Sequence, residues 1–377
     1  MASTTTTTTT TVGASGKARA SHVSGVLAWL ALTIACHDAD AGPDDTVISA
    51  GTDEGPAMPQ APPVERHGRL AVDGLQLVDA CGHPVQLRGI SDQGIQWFPW
   101  RTCLDDDALT FLLASDGLDV DLLRIPVYVT EGGWLHDPEG MRDALETIAD
   151  AAIARGLYVI IDWHVTSFDP NDRLDEAREF WTAVATRYAG VPNVIYEIAN
   201  EPSEVAWYGI REYAGEIIPI IRAIDPEVVI VVGTPDDSGE LADVADAPLS
   251  GELAHNVMYT FHYYAASMEL SQIEPYLARL PIFVTEWAAA SYSGDSPDDY
   301  DDGAAFLAAL AGEPQVSWVG WSFTDDAESS AMLRRGTCAE EPGAAAGPWD
   351  TSALSTAGWF MRRQLRDTQP RRLCASP

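Results

Sequence analysis

Lysine is almost absent from this sequence of 377 residues, in which Lys17 is the only one. Arginine does not make up the deficit, since 22 basic residues stand against 57 acidic ones and the formal net charge is −35. Proteins that bind nucleic acid neutralise its phosphates with basic side chains, so DNA and RNA are excluded as expected partners. The acidity fits either a salt-adapted surface or ordinary solubility in a lysine-poor chain. A neutral polysaccharide is compatible with both.

The sequence also lacks the usual marks of metal and cofactor sites. No cysteine spacing matches a zinc motif, and no glycine-rich phosphate loop follows the first strand-like run of the main domain. The acidic cluster at 298–302 is interpreted as a solvated loop, and calcium dependence stays open. We therefore expect no cofactor and no metal.

The N-terminus has the features of an export signal. Lys17 and Arg19 precede an apolar run at 23–35 that stops at Cys36 and suits a signal peptide better than a transmembrane span. Its end resembles a bacterial lipoprotein cleavage site, at which Cys36 would be lipidated; Thr33 departs from the usual leucine, and ordinary signal cleavage or a later start codon are the alternatives. Residues 1–36 are predicted to be a signal peptide and 37–68 a disordered linker. The protein is expected to be secreted or lipid-anchored at the cell envelope.

Residues 69–377 alternate between strand-like and helix-like segments. A hairpin at 70–78 turns at Asp73-Gly74, and apolar strand-like runs alternate after it with segments of helical spacing, such as 141–155, 174–188, 207–224 and 304–311. The pattern predicts an α/β fold, a (β/α)8 TIM barrel whose floor is closed by the hairpin. An open doubly wound sheet is the alternative, and the missing phosphate loop disfavours it. The eight predicted strands are 85–90, 122–129, 157–163, 194–199, 228–232, 257–261, 282–285 and 316–323.

In such a barrel the residues that end the strands meet at one mouth. Each residue alone could have a structural role, as a buried histidine or a packing tryptophan, but their shared location favours a functional site. Two strand-end carboxylates, Glu201 and Glu286, are the groups that cleavage of a glycosidic bond requires. The candidates at this mouth are Gln93, Trp97, Arg124, Tyr128, His164, Asn200, Glu201, His262, Tyr264, Glu286 and Trp321.

Four cysteines remain when Cys36 is set aside, an even number in a chain expected to be exported. The predicted topology places Cys103 after the first barrel strand and Cys338 after the eighth, in neighbouring loops at the mouth. Cys81 and Cys374 fall at the floor. We predict the disulfides Cys103–Cys338 and Cys81–Cys374.

Six segments, taken in order, resemble glycoside hydrolase family 5: residues 124–127, 161–164, 194–202, 258–264, 283–287 and 317–322. The resemblance implies a retaining mechanism in which Glu201 is the acid/base and Glu286 the nucleophile. It also implies supporting roles for Arg124 and Tyr264 at Glu286, for His262 at Glu201, for His164, and for Asn200 at the sugar 2-hydroxyl. Burial and the neighbouring negative charge are expected to raise the pKa of Glu201 toward ~6.

The resemblance is strongest to the bacterial endoglucanase branch of the family, through residues 94–97 and 328–331. It implies an endo-β-1,4-glucanase acting on cellulose or a related β-glucan, with β-1,4-mannanase and a non-catalytic carbohydrate-binding lipoprotein as alternatives. We expect a monomer, although the sequence leaves the oligomeric state open. Trp97, Tyr128 and Trp321 are expected to stack on sugar rings, and Gln93 and Glu328 to bind substrate.

Three positions depart from that branch. Gln93 stands where relatives usually have histidine, residues 235–237 where they often have a tryptophan, and Asp326 where they often have lysine.

Overall fold

Eight parallel strands close into a barrel in the computed structural model, which describes residues 61–96, 103–338, 346–366 and 374. The strand Trp318–Gly320 pairs with both Arg88–Ser91 and Ile282–Ala288, so the last barrel strand in the chain joins the first and closes the ring. The predicted (β/α)8 barrel is confirmed. The strands are β3 (Arg88–Ser91), β4 (Leu122–Tyr128), β5 (Tyr158–His164), β6 (Val194–Glu197), β7 (Val229–Val232), β8 (Val257–Tyr264), β9 (Ile282–Ala288) and β10 (Trp318–Gly320).

Helices cover the outside of the barrel, where their apolar faces bury the outward side chains of the strands. None of the helices in the described ranges is long and apolar enough to cross a membrane. The helices are α1 (Pro63–His67), α2 (Asp106–Leu113), α3 (Pro138–Ala154), α4 (Leu174–Tyr188), α5 (Trp207–Ile224), the single turn α6 (Pro235–Ser238), α7 (Ala242–Asp246), α8 (Tyr300–Leu310) and α9 (Thr356–Arg366). Short 3-10 turns lie at Pro170–Arg173, Gly251–Ala254, Leu270–Gln272, Glu274–Tyr276 and Thr351–Ala353.

The predicted hairpin closes the barrel floor. Strands β1 (Ala71–Asp73) and β2 (Gln76–Val78) pair antiparallel. The Tyr158 hydroxyl at the start of β5 donates to the carbonyl of Gly68 at 2.6 Å, which ties the segment to the floor. Apolar side chains of the hairpin segment and of the barrel interior form one buried cluster: Leu70, Leu77, Val85, Leu87, Leu122, Tyr158, Ile160, Ile195, Val229, Val231, Met258, Phe283 and Val319.

The predicted linker was wrong at its C-terminal end, because the folded domain begins before residue 69. Pro63–His67 is a helix whose Arg66 is buried and pairs with Asp121 at 2.5 Å. Proline at the first helical position is compatible with helix geometry, yet it gives a segment the composition of a linker. Five residues are also too few to show helical periodicity. The signal-peptide prediction and Cys36 lie outside the described residues.

Two disulfides join the cysteine pairs predicted from the topology. Cys81 is bonded to Cys374 at the floor and Cys103 to Cys338 at the mouth. The backbone NH of Cys374 also donates to the carbonyl of Arg66 at 2.7 Å. The C-terminal residue that the structure describes is therefore fixed to the same face as helix α1.

Strand β9 carries one extra residue relative to both of its neighbours. Against β8, Thr260 pairs with Phe283 and His262 with Glu286; against β10 the register shifts in the same stretch. A β-bulge of this kind re-aims side chains beside active sites. Here it turns the consecutive side chains of Thr285 and Glu286 toward the barrel interior, where both have polar partners.

Candidate active site

A cleft of about 460 Å3 opens at the carboxyl ends of the barrel strands. The structure brings most of the predicted residues together there, and Arg124 and Asn200 lie buried beneath them. Trp97 falls outside the described residues. The predicted residues that line the cleft are Gln93, Tyr128, His164, Glu201, His262, Tyr264, Glu286, Trp321 and Glu328.

Glu286 is held by a cation and a phenol. Arg124 Nη1 lies 3.2 Å from its Oε2, and the Tyr264 hydroxyl donates to its Oε1. Burial raises the pKa of Glu286, and the positive charge of Arg124 opposes the rise. The two fixed donors leave the carboxylate in one orientation, which a nucleophile requires.

Arg124 also holds two carboxylates that the sequence analysis did not select. Its Nε donates to Glu197 Oε2 at 2.7 Å, and its Nη2 lies 3.0 Å from Asp162 Oδ2. The same Nη2 donates to Asn200 Oδ1 at 2.6 Å. The guanidinium fork thus fixes the buried base of the site. Burial lowers the pKa of Arg124, but the charges of Asp162, Glu197 and Glu286 outweigh burial, so the net pKa is raised.

Glu201 faces His262, whose Nδ1 lies 2.8 Å from Glu201 Oε1. Burial, and next the negative charge of Asp237, raise the pKa of Glu201 to about 8. This is well above the value of ~6 expected from the sequence. Asp237, on the neighbouring loop after β7, adds a negative charge that the sequence analysis did not place beside Glu201.

A hydrogen-bond chain fixes where the proton between Glu201 and His262 lies. The Thr285 hydroxyl donates to Glu197 at 2.6 Å, so it accepts from His262 Nε2 at 3.1 Å. Burial lowers the pKa of His262, which is therefore neutral with its proton on Nε2. Its Nδ1 is then an acceptor, and Glu201 must supply the hydrogen. The network thus favours a protonated Glu201.

His164 lines the cleft and also contacts the buried polar residues beneath it. Its Nδ1 lies 2.5 Å from Asp162 Oδ2 and its Nε2 lies 3.4 Å from Asn200 Nδ2. Burial lowers the pKa of His164, so the neutral ring donates to Asp162 and accepts from Asn200. Its ring stacks parallel to Trp321, with centroids 6.1 Å apart, and packs against Tyr128 at 4.0 Å.

Gln93 and Glu328 lie on neighbouring loops of the cleft, the first after β3 and the second after β10. Gln93 is buried, and its Oε1 accepts no hydrogen bond among the residues that the structure describes. Glu328 is half-buried, and burial together with Asp326 raises its pKa. Both side chains offer oxygen acceptors to a ligand rich in hydroxyl groups.

Sequence reasoning missed Asp162, Glu197 and Thr285. The first two lie inside the segments 161–164 and 194–202, two positions before His164 and four before Glu201. Alternate residues of a strand share a face, so this spacing could have placed both acids on the interior side. Thr285 could not be found this way, because alternation puts it opposite Glu286 and only the bulge in β9 brings them together.

Among the described residues, two groups offer metal ligands at close range. One contains Cys81, which is already in a disulfide. The other is Glu201, His262 and Glu286, which are engaged in the hydrogen bonds given above. We assign a metal to neither.

The two glutamates are close enough for a two-step displacement. One carboxylate oxygen of Glu201 and one of Glu286 lie within 4.8 Å of each other. Retaining glycosidases hold the two carboxyl groups about 5 to 5.5 Å apart, whereas inverting enzymes leave roughly 6.5 to 9.5 Å for a water. The geometry therefore suits attack by one carboxyl and proton donation by the other.

Comparison with known proteins agrees with this geometry. Residues 78–327 match the family model described as cellulase, glycosyl hydrolase family 5. The chain belongs to glycoside hydrolase family 5. Two of the curated relatives of this family 5 protein are endoglucanase E-5 of Thermobifida fusca and endoglucanase MaCel5A of Microbulbifer sp. strain ALW1. The first is 42% identical over 81% of this chain and 65% of its own length, and the second 38% over 81% and 59%.

A solved structure shares the barrel of this family 5 chain. The catalytic domain of Thermobifida fusca endoglucanase Cel5A, in complex with cellotetraose, superimposes with a TM-score of 0.75 at 40% identity. The match covers 81% of this chain and all of that domain. The chain spans about three fifths of the length of the curated relatives that it matches.

Proposed function

We propose that this protein is an exported, retaining endo-β-1,4-glucanase that hydrolyses cellulose or related β-glucans. One observation carries the proposal: Glu286 is oriented by Arg124 and Tyr264 while a protonated Glu201 faces it within 4.8 Å. The endoglucanase names of the relatives support the choice of substrate.

In the first step, Glu286 attacks the anomeric carbon and the glycosidic bond breaks. Glu201 gives its proton to the departing oxygen, so the leaving chain departs as a neutral alcohol and Glu201 becomes a carboxylate. As the anomeric carbon gains positive character, Arg124 at Oε2 and Tyr264 at Oε1 keep the carboxylate of Glu286 in place. His262 Nδ1 accepts the hydrogen bond of the protonated Glu201 and loses it when Glu201 gives up its proton.

In the second step, the ionised Glu201 takes a proton from a water that attacks the same anomeric carbon. The ester bond to Glu286 breaks, and the configuration of the sugar is restored. Asn200, whose amide is oriented by Arg124, would contact the 2-hydroxyl, a contact that strengthens in the transition state. Both glutamates return to their starting protonation states.

Sugar rings would be held by aromatic faces and by oxygen acceptors. Tyr128 and Trp321 line the cleft, and we assign them, with Trp97, to stacking on the apolar faces of the rings. The unpartnered Oε1 of Gln93 and the carboxylate of Glu328 would accept hydrogen bonds from sugar hydroxyls. Removing either acceptor should weaken substrate binding by about 1 to 3 kcal/mol.

Export is supported by the two disulfides, which persist in oxidising compartments. We propose that the signal ends at Cys36, with lipid attachment there as the finer form of the proposal and secretion as its alternative. The domain is proposed to act as a monomer.

Two alternative functions differ in what they need, since one uses the same two glutamates and the other needs no catalytic residue. A β-1,4-mannanase would need the same two glutamates and differ only in the sugars accepted. A non-catalytic carbohydrate-binding lipoprotein would need neither glutamate, so the bonded cluster around Glu201 and Glu286 argues against it.

A panel of cellulose, mixed-linkage β-glucan and mannan, assayed with residues 61–377 for release of reducing ends, tests the proposal. We expect activity on the first two and loss of at least 1,000-fold in kcat for Glu286→Gly, because the attacking group is removed. Glu227→Gln, an exposed glutamate remote from the cleft, is the control and should leave activity unchanged.

Hydrolysis of mannan alone would replace the glucanase proposal. Unchanged turnover in Glu286→Gly would remove the proposed nucleophile.

A further inference from the structure

The turn α6 has an unusual backbone. Asp236, Asp237 and Ser238 all have left-handed φ angles, of 57°, 54° and 60°. Residues other than glycine adopt this region at an energetic cost, and aspartate and asparagine tolerate it best. Such a conformation persists only where the surrounding contacts hold it.

Those contacts come from the segment that carries Glu201. Ser238 Oγ donates to the carbonyl of Asn200 at 2.6 Å, and the NH of Asp237 donates to the carbonyl of Pro202 at 3.3 Å. The approach is tight at Gly233 as well, where an added Cβ would lie 2.4 Å from the carbonyl oxygen of Ala199. The turn is therefore fixed to the backbone on both sides of Glu201.

The result is a carboxylate held at the cleft wall. Asp237 is exposed and lines the cleft together with Glu201 and His262. Among the described residues that line this cleft there is no lysine or arginine. No basic side chain in the described lining of the cleft therefore neutralises the charge of Asp237.

We propose that Asp237 is a positioning residue for the acid step: its charge, fixed beside Glu201 by the left-handed turn, keeps the Glu201 carboxyl protonated until the leaving group takes the proton. This inference rests on the proposed function of the same site. It assigns a role to the segment 235–237, one of the places at which the sequence analysis expects a departure from the bacterial endoglucanase branch.

Asp237 is one of several groups that act on the pKa of Glu201. A substitution of Asp237 alone leaves the others in place, so it isolates the effect of this one charge. Burial is the largest cause of the raised pKa of Glu201, Asp237 is the next, and Arg124 opposes them. His262 is neutral because burial lowers its pKa. The groups that face Glu201 from the packed strands are Arg124 on β4, Asp162 on β5, Glu197 on β6, His262 on β8 and Glu286 on β9.

Asp237→Asn tests the proposal, since asparagine keeps the left-handed turn and removes the charge. The alkaline pKa of kcat/KM on cellotetraose should fall by about 0.5 unit at low salt, a loss of roughly threefold on that limb. Activity at the acid side of the optimum should not change. Asp236→Asn is the matched control, because Asp236 is an exposed, left-handed neighbour that lines the same cleft. It should shift the profile less, since Asp237 and not Asp236 is a main cause of the raised pKa of Glu201.

Salt gives a second readout that needs no variant. The Debye length falls from about 10 Å at 0.1 M salt to about 3 Å at 1 M, so the charge of an exposed Asp237 is screened. The alkaline pKa of the unmodified enzyme should then fall toward that of Asp237→Asn, and the variant should move less. A structural role alone would not produce this convergence.

Identical low-salt profiles for Asp237→Asn and the unmodified enzyme would overturn the inference, as would an equal shift in Asp236→Asn. If Asp237→Asn fails to fold, a salt-independent alkaline pKa in the unmodified enzyme would overturn it as well. Failure of the proposed function looks different, because the unmodified enzyme would then hydrolyse no β-glucan at any pH.

Discussion

At the scale of single residues, the site is governed by an imbalance around Arg124. Three carboxyl groups contact this one buried guanidinium: Asp162, Glu197 and Glu286. The excess negative charge is relieved by neutral donors, namely Thr285 at Glu197, Tyr264 at Glu286 and His164 at Asp162. Burial nonetheless raises the pKa of Asp162 to about 7 and that of Glu197. A site of this kind holds protons readily at neutral pH, as an acid/base mechanism requires.

The sequence revealed the two glutamates of the proposed mechanism more readily than the residues that support them. Glu201 and Glu286 stand out because each follows an apolar strand, where a carboxyl has no structural reason to lie. Glu197 is harder to select, because it precedes Glu201 in the same apolar run and only the strand geometry shows that both face inward. The role of Asp237 could not be predicted, since it depends on a charge acting across two loops.

Asp92 gives a test of buried charge apart from catalysis. Its carboxyl is buried, accepts from the NH of Gly94 at 3.2 Å, and has a pKa raised by burial to about 7. A raised pKa in the folded state means that stability is full below the unfolded pKa of about 3.9 and is lost as pH rises through 7.

We expect Asp92→Asn to remove this loss. The free energy of unfolding is measured with urea at about pH 5 and about pH 8. Between these pH values it should fall less in the variant than in the unmodified protein, by about 3 kcal/mol, which corresponds to about two pKa units. Parallel dependence on pH in the two proteins would contradict the assignment of this group.

At the scale of elements, two backbone irregularities position side chains of the candidate active site. The bulge in β9 turns both Thr285 and Glu286 inward, and the left-handed turn α6 presents Asp237. Neither could be predicted, because strand alternation assigns Thr285 and Glu286 to opposite faces and no glycine marks the left-handed positions 236–238. Regular elements were predicted better: helices α4 and α5 have the predicted bounds, since their apolar faces run over several turns.

The two disulfides allow elements at opposite ends of the barrel to be compared. Cys103–Cys338 joins the loops after β3 and β10, which carry Gln93 and Glu328, whereas Cys81–Cys374 lies at the floor. Replacing the mouth pair by serine should raise KM for cellotetraose roughly 3- to 10-fold, about 1 kcal/mol, with little change in kcat. Replacing the floor pair should lower the free energy of unfolding by about 2 to 5 kcal/mol and leave KM unchanged.

Steady-state kinetics and denaturant unfolding of both double variants separate the two roles. An equal rise in KM in both, or none in the mouth variant, would show that the mouth disulfide does not position the cleft loops.

At the scale of the whole molecule, the barrel could be predicted because eight apolar runs alternate with helical segments, a pattern typical of parallel strands joined by helices. Its ends could not. The predicted first strand at 85–90 is shorter and begins at Arg88, because Val85 pairs instead with Leu77 of the floor hairpin through a hydrogen bond of 2.9 Å. The helix Pro63–His67 extends the same floor. Local composition does not distinguish a strand inside the barrel from one that closes it.

The central claim is that Glu286 forms a covalent bond with the sugar while Glu201 serves as acid and base. Incubation with a cellobioside that carries fluorine at carbon 2 and a good leaving group should accumulate the glycosyl enzyme. Fluorine destabilises the transition states of both steps, whereas the good leaving group restores the rate of the first step only. Peptide mapping by mass spectrometry should then place the added mass on Glu286, and Glu286→Gln should gain none. Label on Glu201 or on another residue, or no label during release of an inverted product, would contradict the account.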